Sequence, residues 1–370
     1  MSLQPFTDYL NSRFVNRETE IRLLLLGLIA RQNTLFWGDP GTGKSNLTET
    51  FATASGYRYK RTQLTKFSTM EEVFGPLSLT ALKQDLMIRN WQVSPANSEI
   101  LFIDEIFKAS GSILDSLLGL LEERAFSNGS DGTVDLPIEM VVAASNELPD
   151  PDGPQRAVWD RFAIRRTVAP LSRTTDLLAL LNCVTTRGSA ITHTGPVDLR
   201  TTIEQLRSAA SAVDLQPVFN NLVQIRNLLA REKIKVSDRR LVVATKLIAA
   251  AAAMVGDTVA NPNHLWVLKY CWWNAPAEEP VVAAIVTRAI NPHAAKAQAL
   301  EDAALEIGAK ITGQRWSVDN VGQLAALKKQ LVTTLDELAN LPVCTETSQA
   351  AAVVDNLIVE ADRTIRLMFG

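Results

Sequence analysis

The sequence predicts an α/β fold: a parallel-sheet wedge in the first 169 residues, followed by all-helical chain to the end. Three observations predict it. Short apolar runs alternate with helical periodicity up to about Pro170. A Gly-rich loop joins one of these runs to a helix. Beyond Pro170 the strand signals fade and helical periodicity takes over.

In residues 18–31, Ile21, Leu24, Leu25 and Leu28 recur at helical spacing with charges between them, which predicts an amphipathic helix. Residues 34–37 are a short apolar run, ended by Gly38-Asp39-Pro40-Gly41, as a buried strand entering a turn would be. Residues 47–55 read as a helix. Residues 100–103 form a second apolar strand closed by Asp104 and Glu105, and residues 140–144 a third closed by Ser145-Asn146. Residues 125–134 read as a hairpin, two strand ends around a polar Gly-rich turn. Helical periodicity then marks 176–184, 199–212, 218–231 and 239–254, and Pro276, Pro280 and Pro292 punctuate the next stretch. Three Ala- and Leu-rich helices close the sequence at 294–311, 321–341 and 348–368. In the middle one Val321, Leu324, Leu327, Leu331, Leu335 and Leu338 form the stripe of a helical hairpin or bundle.

Composition narrows the class. The 370 residues are 46% hydrophobic and 21% charged, which suits two or three packed units and excludes bulk disorder. Lys and Arg number 37 against 40 Asp and Glu, a net charge of -3, which argues against a dedicated nucleic-acid coat while leaving a local basic pore open. Cys183, Cys271 and Cys344 are far apart, with no CxxC pair; buried thiols in a reducing compartment are expected, and no structural zinc. His193, His264 and His293 have no ligand-spaced neighbours, so structural or surface roles are expected. Trp266, Trp272 and Trp273 read as core beside Cys271, where the helical regions meet, and Asp152-Gly153-Pro154 as a turn. No basic-then-apolar leader opens the sequence. The longest apolar stretches, 21–30 and 241–255, contain Arg22 and Lys246 and fall short of the ~20 residues a membrane span needs. A soluble, cytoplasmic protein without a membrane span is the expectation.

The chemistry concentrates in Gly38-Asp39-Pro40-Gly41-Thr42-Gly43-Lys44-Ser45, which satisfies GxxxxGK[ST] at every fixed position. Its glycines let backbone N–H groups turn inward around phosphates, Lys44 supplies a charge for the β- and γ-phosphates, and Ser45 offers a magnesium ligand. The following helix adds its N-terminal dipole to the same anion site. Asp104 and Glu105, at the end of an apolar strand some sixty residues on, read as Walker B: Asp104 for Mg²⁺ and Glu105 to orient the attacking water. Asn146 caps the third strand, on the edge where parallel sheets bind ligands, and reads either as a sensor of the γ-phosphate or as a capping residue.

With these motifs, Asp160-Arg161-Phe162, the run 67–78, the run 102–109, the run 142–149 and Val236-Ser237-Asp238-Arg239-Arg240, the sequence resembles the MoxR family of AAA+ ATPases, in its RavA-like branch, over roughly residues 14–290. The resemblance implies an AAA+ α/β nucleotide-binding subdomain over 1–169, an all-helical lid over 170–292 and a C-terminal helical hairpin or bundle over 293–370. It implies ATP and Mg²⁺ as cofactors and a homo-hexameric ring with nucleotide between subunits. It implies an arginine finger at Arg161 and a sensor-2 arginine at Arg239, with Arg240 its rival. Residues 67–86 match the family's helix-2 insert and 125–134 its pre-sensor hairpin; as plain surface loops they would leave Phe67, Phe74 and Phe126 as core or staple residues. A von Willebrand factor A domain protein and an unidentified protein client are the implied partners. RavA carries a β-rich insert in its C-terminal helices, and only helices are readable here, so a partner choice made by that insert does not transfer. The alternative, a nucleic-acid motor, would want basic residues on the hairpin tip. Residues 127–133 hold Asp131 and neither Lys nor Arg, although Lys60, Arg61 and Lys66 lie near the insert.

Overall fold

The computed structural model describes residues 3–150, 153, 155–186, 199–313, 316, 320–342 and 345–369. The expectations for the Cys183 thiol, Cys344, His193, Asp152 and Pro154 lie outside the described residues. Contacts divide the chain into two compact units, Met1–Phe219 with Val236–Pro276, and Asn220–Lys235 with Ala277–Gly370.

The first unit opens with α1 (Gln4–Asn11), α2 (Glu18–Ala30), β1 (Asn33–Trp37), α3 (Lys44–Ala54), β2 (Tyr59–Gln63), α4 (Met70–Phe74) and α5 (Leu79–Leu82). It continues through β3 (Ile100–Asp104), α6 (Gly111–Glu122), β4 (Ala125–Ser127), β5 (Thr133–Asp135), β6 (Met140–Ser145), α7 (Gln155–Trp159) and β7 (Phe162–Thr167). Then come α8 (Thr174–Thr186), α9 (Arg200–Ser211), α10 (Phe219–Arg231), which falls almost wholly in the second unit, and α11 (Asp238–Val255).

Five strands form one sheet in the order β2-β3-β6-β1-β7, and every neighbouring pair is parallel. The central strands β1, β3 and β6 are apolar and buried along almost their whole length, as strands covered on both faces must be. Two strands carry no apolar run and are not evident from the sequence. In edge strand β2 only Thr62 is buried, and β7 carries Arg165 and Arg166.

The expected amphipathic helix at 18–31 needs correction. All of α2 from Glu20 to Ile29 is buried except Arg22, so it has no broad polar face. Its buried carboxylate, Glu20, is neutralised by Arg166 Nε at 3.0 Å.

The hairpin is present: β4 and β5 pair antiparallel, Phe126 opposite Val134. It is joined to the segment 67–93. Ser130 N–H donates to the Met87 carbonyl (3.0 Å), Arg89 N–H to Asn128 Oδ1 (2.7 Å), and the Phe74 and Phe126 rings stack at 4.8 Å. Gly129, at φ 61°, is needed at this seam because a Cβ there would sit 2.1 Å from the Met87 carbonyl oxygen. Phe74 and Phe126 are therefore core. Phe67 is 91% exposed.

Trp272 and Trp273 are core and Trp266 is half-buried, with partners that differ from those expected. Trp273 meets Trp159 of α7 edge-on at 5.8 Å, and Trp266 lies under the Arg22 guanidinium of α2, all inside the first unit.

In the second unit α12 (Glu279–Ile290) precedes α13 (Pro292–Thr312), α14 (Val321–Ala339) and α15 (Thr345–Phe369). The last three pack as a bundle. Ala297, Ala304 and Ile311 face Leu324, Leu331 and Leu338, with Ala350, Val354 and Ala361 from α15. The seven-residue steps within α13 and α14 keep one seam facing the partner helices. Leu327 and Leu335 of the predicted stripe pack on its flank. Among the described residues no helix is long and apolar enough to cross a membrane.

Candidate nucleotide site and arginine cleft

Because the strands are all parallel, their carboxyl ends share one edge of the sheet, and the predicted phosphate site assembles there. Gly38 N–H donates to the Ser145 carbonyl (3.1 Å), which fastens the loop after β1 to the end of β6. Gly38 has φ 141°, and a Cβ would approach the Val168 carbonyl oxygen to 2.4 Å, so only glycine fits. Gly41 and Gly43 take φ 83° with open space in front of them. The loop is a hollow turn lined by backbone, the cradle a polyphosphate needs.

Lys44 opens α3 and folds back over this hollow, its Nζ donating to the carbonyls of Gly38 (2.8 Å) and Asp39 (2.7 Å) and to Thr42 Oγ1 (3.2 Å). Burial lowers the pKa of its ammonium, against the opposing pull of Asp104, Glu105 and Asp39. Ser45 Oγ donates to Asp104 Oδ2 at 3.4 Å, so the two oxygens assigned to a divalent ion by sequence are neighbours. Arg61 of β2 also reaches Asp104 Oδ2, at 2.6 Å. Glu105 sits in the left-handed region (φ 54°, ψ 43°), uncommon for a side-chain-bearing residue. Its Oε2 is buried without a hydrogen bond, with Lys108 Nζ 3.5 Å away in ionic contact. Asn146 is exposed, one residue past Ser145 on the same edge. Loop, hydroxyl, paired acids and strand-end amide are thus together, and they fit a nucleoside triphosphate with a hard divalent cation.

Arg161 and Arg239 lie elsewhere. Asn33, at the opposite end of β1, pairs in register with Phe162, and its Nδ2 donates to the carbonyls of Leu121 (2.9 Å) and Arg161 (3.2 Å). At ~3.3 Å per residue the length of β1 puts Arg161 roughly 15 Å from its own phosphate loop. There it lines a cleft of about 890 Å³ with Glu122, Arg124, Arg239 and Lys246. Glu122 bridges the two arginines, to Arg161 Nε at 2.7 Å and to Arg239 Nη2 at 2.8 Å.

Arg240 is separated from its neighbour. It is buried, and it donates to Asp160 Oδ1 (2.6 Å), Asn274 Oδ1 (2.6 Å) and the Trp273 carbonyl (3.3 Å). Arg165, only 1% exposed, lies over the Trp159 ring at 4.8 Å and donates to the same Trp273 carbonyl. Burial lowers the pKa of both guanidinium groups and raises that of the nearby Cys271 thiol to about 12. Sequence reasoning singles out Arg161 and Arg239 but misses Asn33, Glu122 and Arg165. A polar residue opening an apolar strand is the available signal for Asn33; Glu122 gives none.

Fold and site together define a P-loop AAA+ ATPase architecture. Residues 1–208 match a family model described as the MoxR domain in MoxR-vWA-beta-propeller ternary systems, and residues 217–286 match an AAA lid domain. The chain belongs to the MoxR family of AAA+ ATPases. It is 32% identical over 277 residues to the uncharacterized protein MJ0812 of Methanocaldococcus jannaschii, covering 75% of this chain and 72% of the relative. To MJ0079 of the same organism it is 31% identical, covering 79% and 75%. A crystal structure of a candidate ATPase from Cytophaga hutchinsonii shares the fold, with a TM-score of 0.61 at 18% identity over 77% of this chain and 92% of that one.

Proposed function

We propose that this chain hydrolyses ATP to ADP and phosphate as one subunit of a homo-hexameric ring that remodels a protein client, working with a von Willebrand factor A domain protein. The observation that carries the reading is the division of its site residues between two edges of one sheet. The phosphate loop and the acids lie on one edge, Arg161 and Arg239 on the other. A single copy holds both halves of a hydrolytic site too far apart to use together, and a ring closes one copy's half on its neighbour's.

In this reading the loop from Gly38 to Gly43 offers its N–H groups to the phosphates, and Lys44 leaves its carbonyl contacts to join them. Ser45 and Asp104 would hold Mg²⁺, which neutralises charge on the phosphate oxygens when bound. Glu105 polarises the attacking water and Asn146 helps place it. Arg161 acts as the finger toward the neighbour's γ-phosphate, and Arg239 as the sensor-2 arginine. The burial of Arg240 and its three hydrogen bonds to Asp160, Asn274 and the Trp273 carbonyl support a structural role for it instead. The division into wedge (1–169), lid (170–292) and C-terminal helices (293–370), the RavA-like placement and a cytoplasmic setting belong to the same proposal. The ternary systems in the family description support the choice of a von Willebrand factor A partner. The joined insert and hairpin, with exposed Phe67 at the start of the insert, offer a surface for an extended client.

Two variants and one capture test this. Lys44→Ala should abolish nucleotide binding, while Glu105→Gln should keep binding and stop turnover; equal turnover by Glu105→Gln and wild type removes the water-orienting role. Tagged Glu105→Gln held in ATP should retain a von Willebrand factor A domain protein from native extract that Lys44→Ala does not. Salt-sensitive nucleic acid without a protein partner would overturn the remodelling reading.

A further inference from the structure

Glu122 ends α6, and its carboxylate touches both arginines of the cleft. The three side chains come from distant parts of the sequence, and nothing in the phosphate motifs calls for an acid there. Its effect is electrostatic. Two guanidinium groups aimed at one point repel, and an anion between them lowers that cost. A phosphate oxygen from another copy presents the same chemistry as the Glu122 carboxylate: an anion accepting from arginine forks. The rest of the cleft remains cationic. Arg124 is half-buried, with its pKa lowered to about 10 by burial and by Arg31. Lys246, two helical turns along α11 from Arg239, lines the same cleft without an ion pair among the described residues. The Nε of Arg161 is buried and makes no directed hydrogen bond, so its 2.7 Å contact with Glu122 is an ion pair alone.

We propose that Glu122 is an internal stand-in for the neighbouring copy's γ-phosphate: it holds Arg161 and Arg239 side by side in the free subunit and yields them when a nucleotide-loaded neighbour docks. This rests on the proposed function, in which both arginines act across the interface, and adds a residue that works against assembly. Glu122 touches no reacting atom; it acts through the two arginines. Because the contacts are partly solvent-exposed, each contributes modestly, and their loss together should change an assembly equilibrium by about three- to ten-fold.

The experiment is ATPase rate per subunit as a function of protein concentration for wild type, Glu122→Gln, Arg161→Ala and the double variant Glu122→Gln/Arg239→Ala, with Arg161→Ala also mixed into wild type. Glu122→Gln should reach half-maximal rate at about three- to ten-fold lower protein concentration than wild type, and Arg239→Ala should erase that gain. A merely structural Glu122 cannot move the midpoint to lower concentration. An unchanged or higher midpoint for Glu122→Gln, with Arg161→Ala still depressing mixed assemblies beyond dilution, overturns this proposal alone. Arg161→Ala subunits that only dilute the activity overturn the across-interface reading on which it stands.

Discussion

Asp160 and Arg240, eighty residues apart in sequence, meet at 2.6 Å and tie together the two dipeptides that carry the cleft arginines. Each partner is the immediate neighbour of a cleft arginine: Asp160 precedes Arg161, and Arg240 follows Arg239. The pair, buried on its Arg240 side, ties the two segments together, and Glu122 bridges the side chains outside. Arg240→Ala should therefore destabilise the fold. The cost is about 1–3 kcal/mol, less than a wholly buried pair would give because Asp160 is partly exposed. Arg239→Ala should change stability by no more than about 0.5 kcal/mol while lowering ATPase activity. Urea unfolding of both variants, with activity measured alongside, separates the two roles. Equal stability losses would return Arg239 to the structural class.

The phosphate loop makes a second contrast. Gly38 and Gly41 both have positive φ, but only Gly38 has a backbone oxygen in the place a Cβ would occupy. Gly41→Ala should cost about 1 kcal/mol of left-handed strain. Gly38→Ala must in addition push β1 away from Val168, and more than about 2 kcal/mol is expected. Thermal melting in the absence of nucleotide reads this difference without reference to catalysis, and a larger loss for Gly41→Ala would contradict the geometry.

Burial decides how much of this fold is legible in the sequence. Strands β1, β3 and β6 are legible because both faces are covered, and a four- or five-residue apolar run bounded by turn residues suits little else than a buried strand. The phosphate loop is legible because its backbone shape admits few residues. Strand β2, with Lys60 and Arg61 exposed at the sheet edge, carries no such run. Strand β7 hides its nature behind Arg165, a buried cation surrounded by two tryptophans, two carbonyls and the Asp160 carboxylate. Such a site depends on residues a hundred positions away, and local periodicity cannot supply them. The same holds for Glu122, an ordinary acid at a helix end until the fold brings Arg161 and Arg239 to it.

Phe67 and Phe74, seven residues apart, look equivalent in sequence and are opposite in the fold. Phe74 is fully buried and stacked on Phe126, whereas Phe67 projects into solvent. Phe74→Ala should cost about 3–5 kcal/mol and release the hairpin from the insert. Phe67→Ala should leave stability within about 0.5 kcal/mol and lower the stimulation of ATPase by client. Limited proteolysis between residues 75 and 93 checks the first claim, since only the Phe74 variant should expose that segment. Undiminished client stimulation of the Phe67 variant would remove this side chain from the client surface.

Cys271 gives a prediction in pH. Its thiol is fully buried, and burial raises its pKa from 9.0 to about 12 despite the opposing influence of Arg240 and Arg165. The folded state thus keeps the proton over a range where the unfolded state gives it up. The contribution to stability is therefore whole below about pH 9 and is lost as pH rises from 9 toward 12. Other groups titrate in that window, so the quantity to measure is the stability of wild type minus that of Cys271→Ala, by urea unfolding from pH 8 to 10.5. This difference should fall steadily above pH 9. A flat difference would mean that the thiol is no harder to ionise in the fold than in the unfolded chain, and that Arg165 and Arg240 offset burial at the junction that presents the cleft arginines.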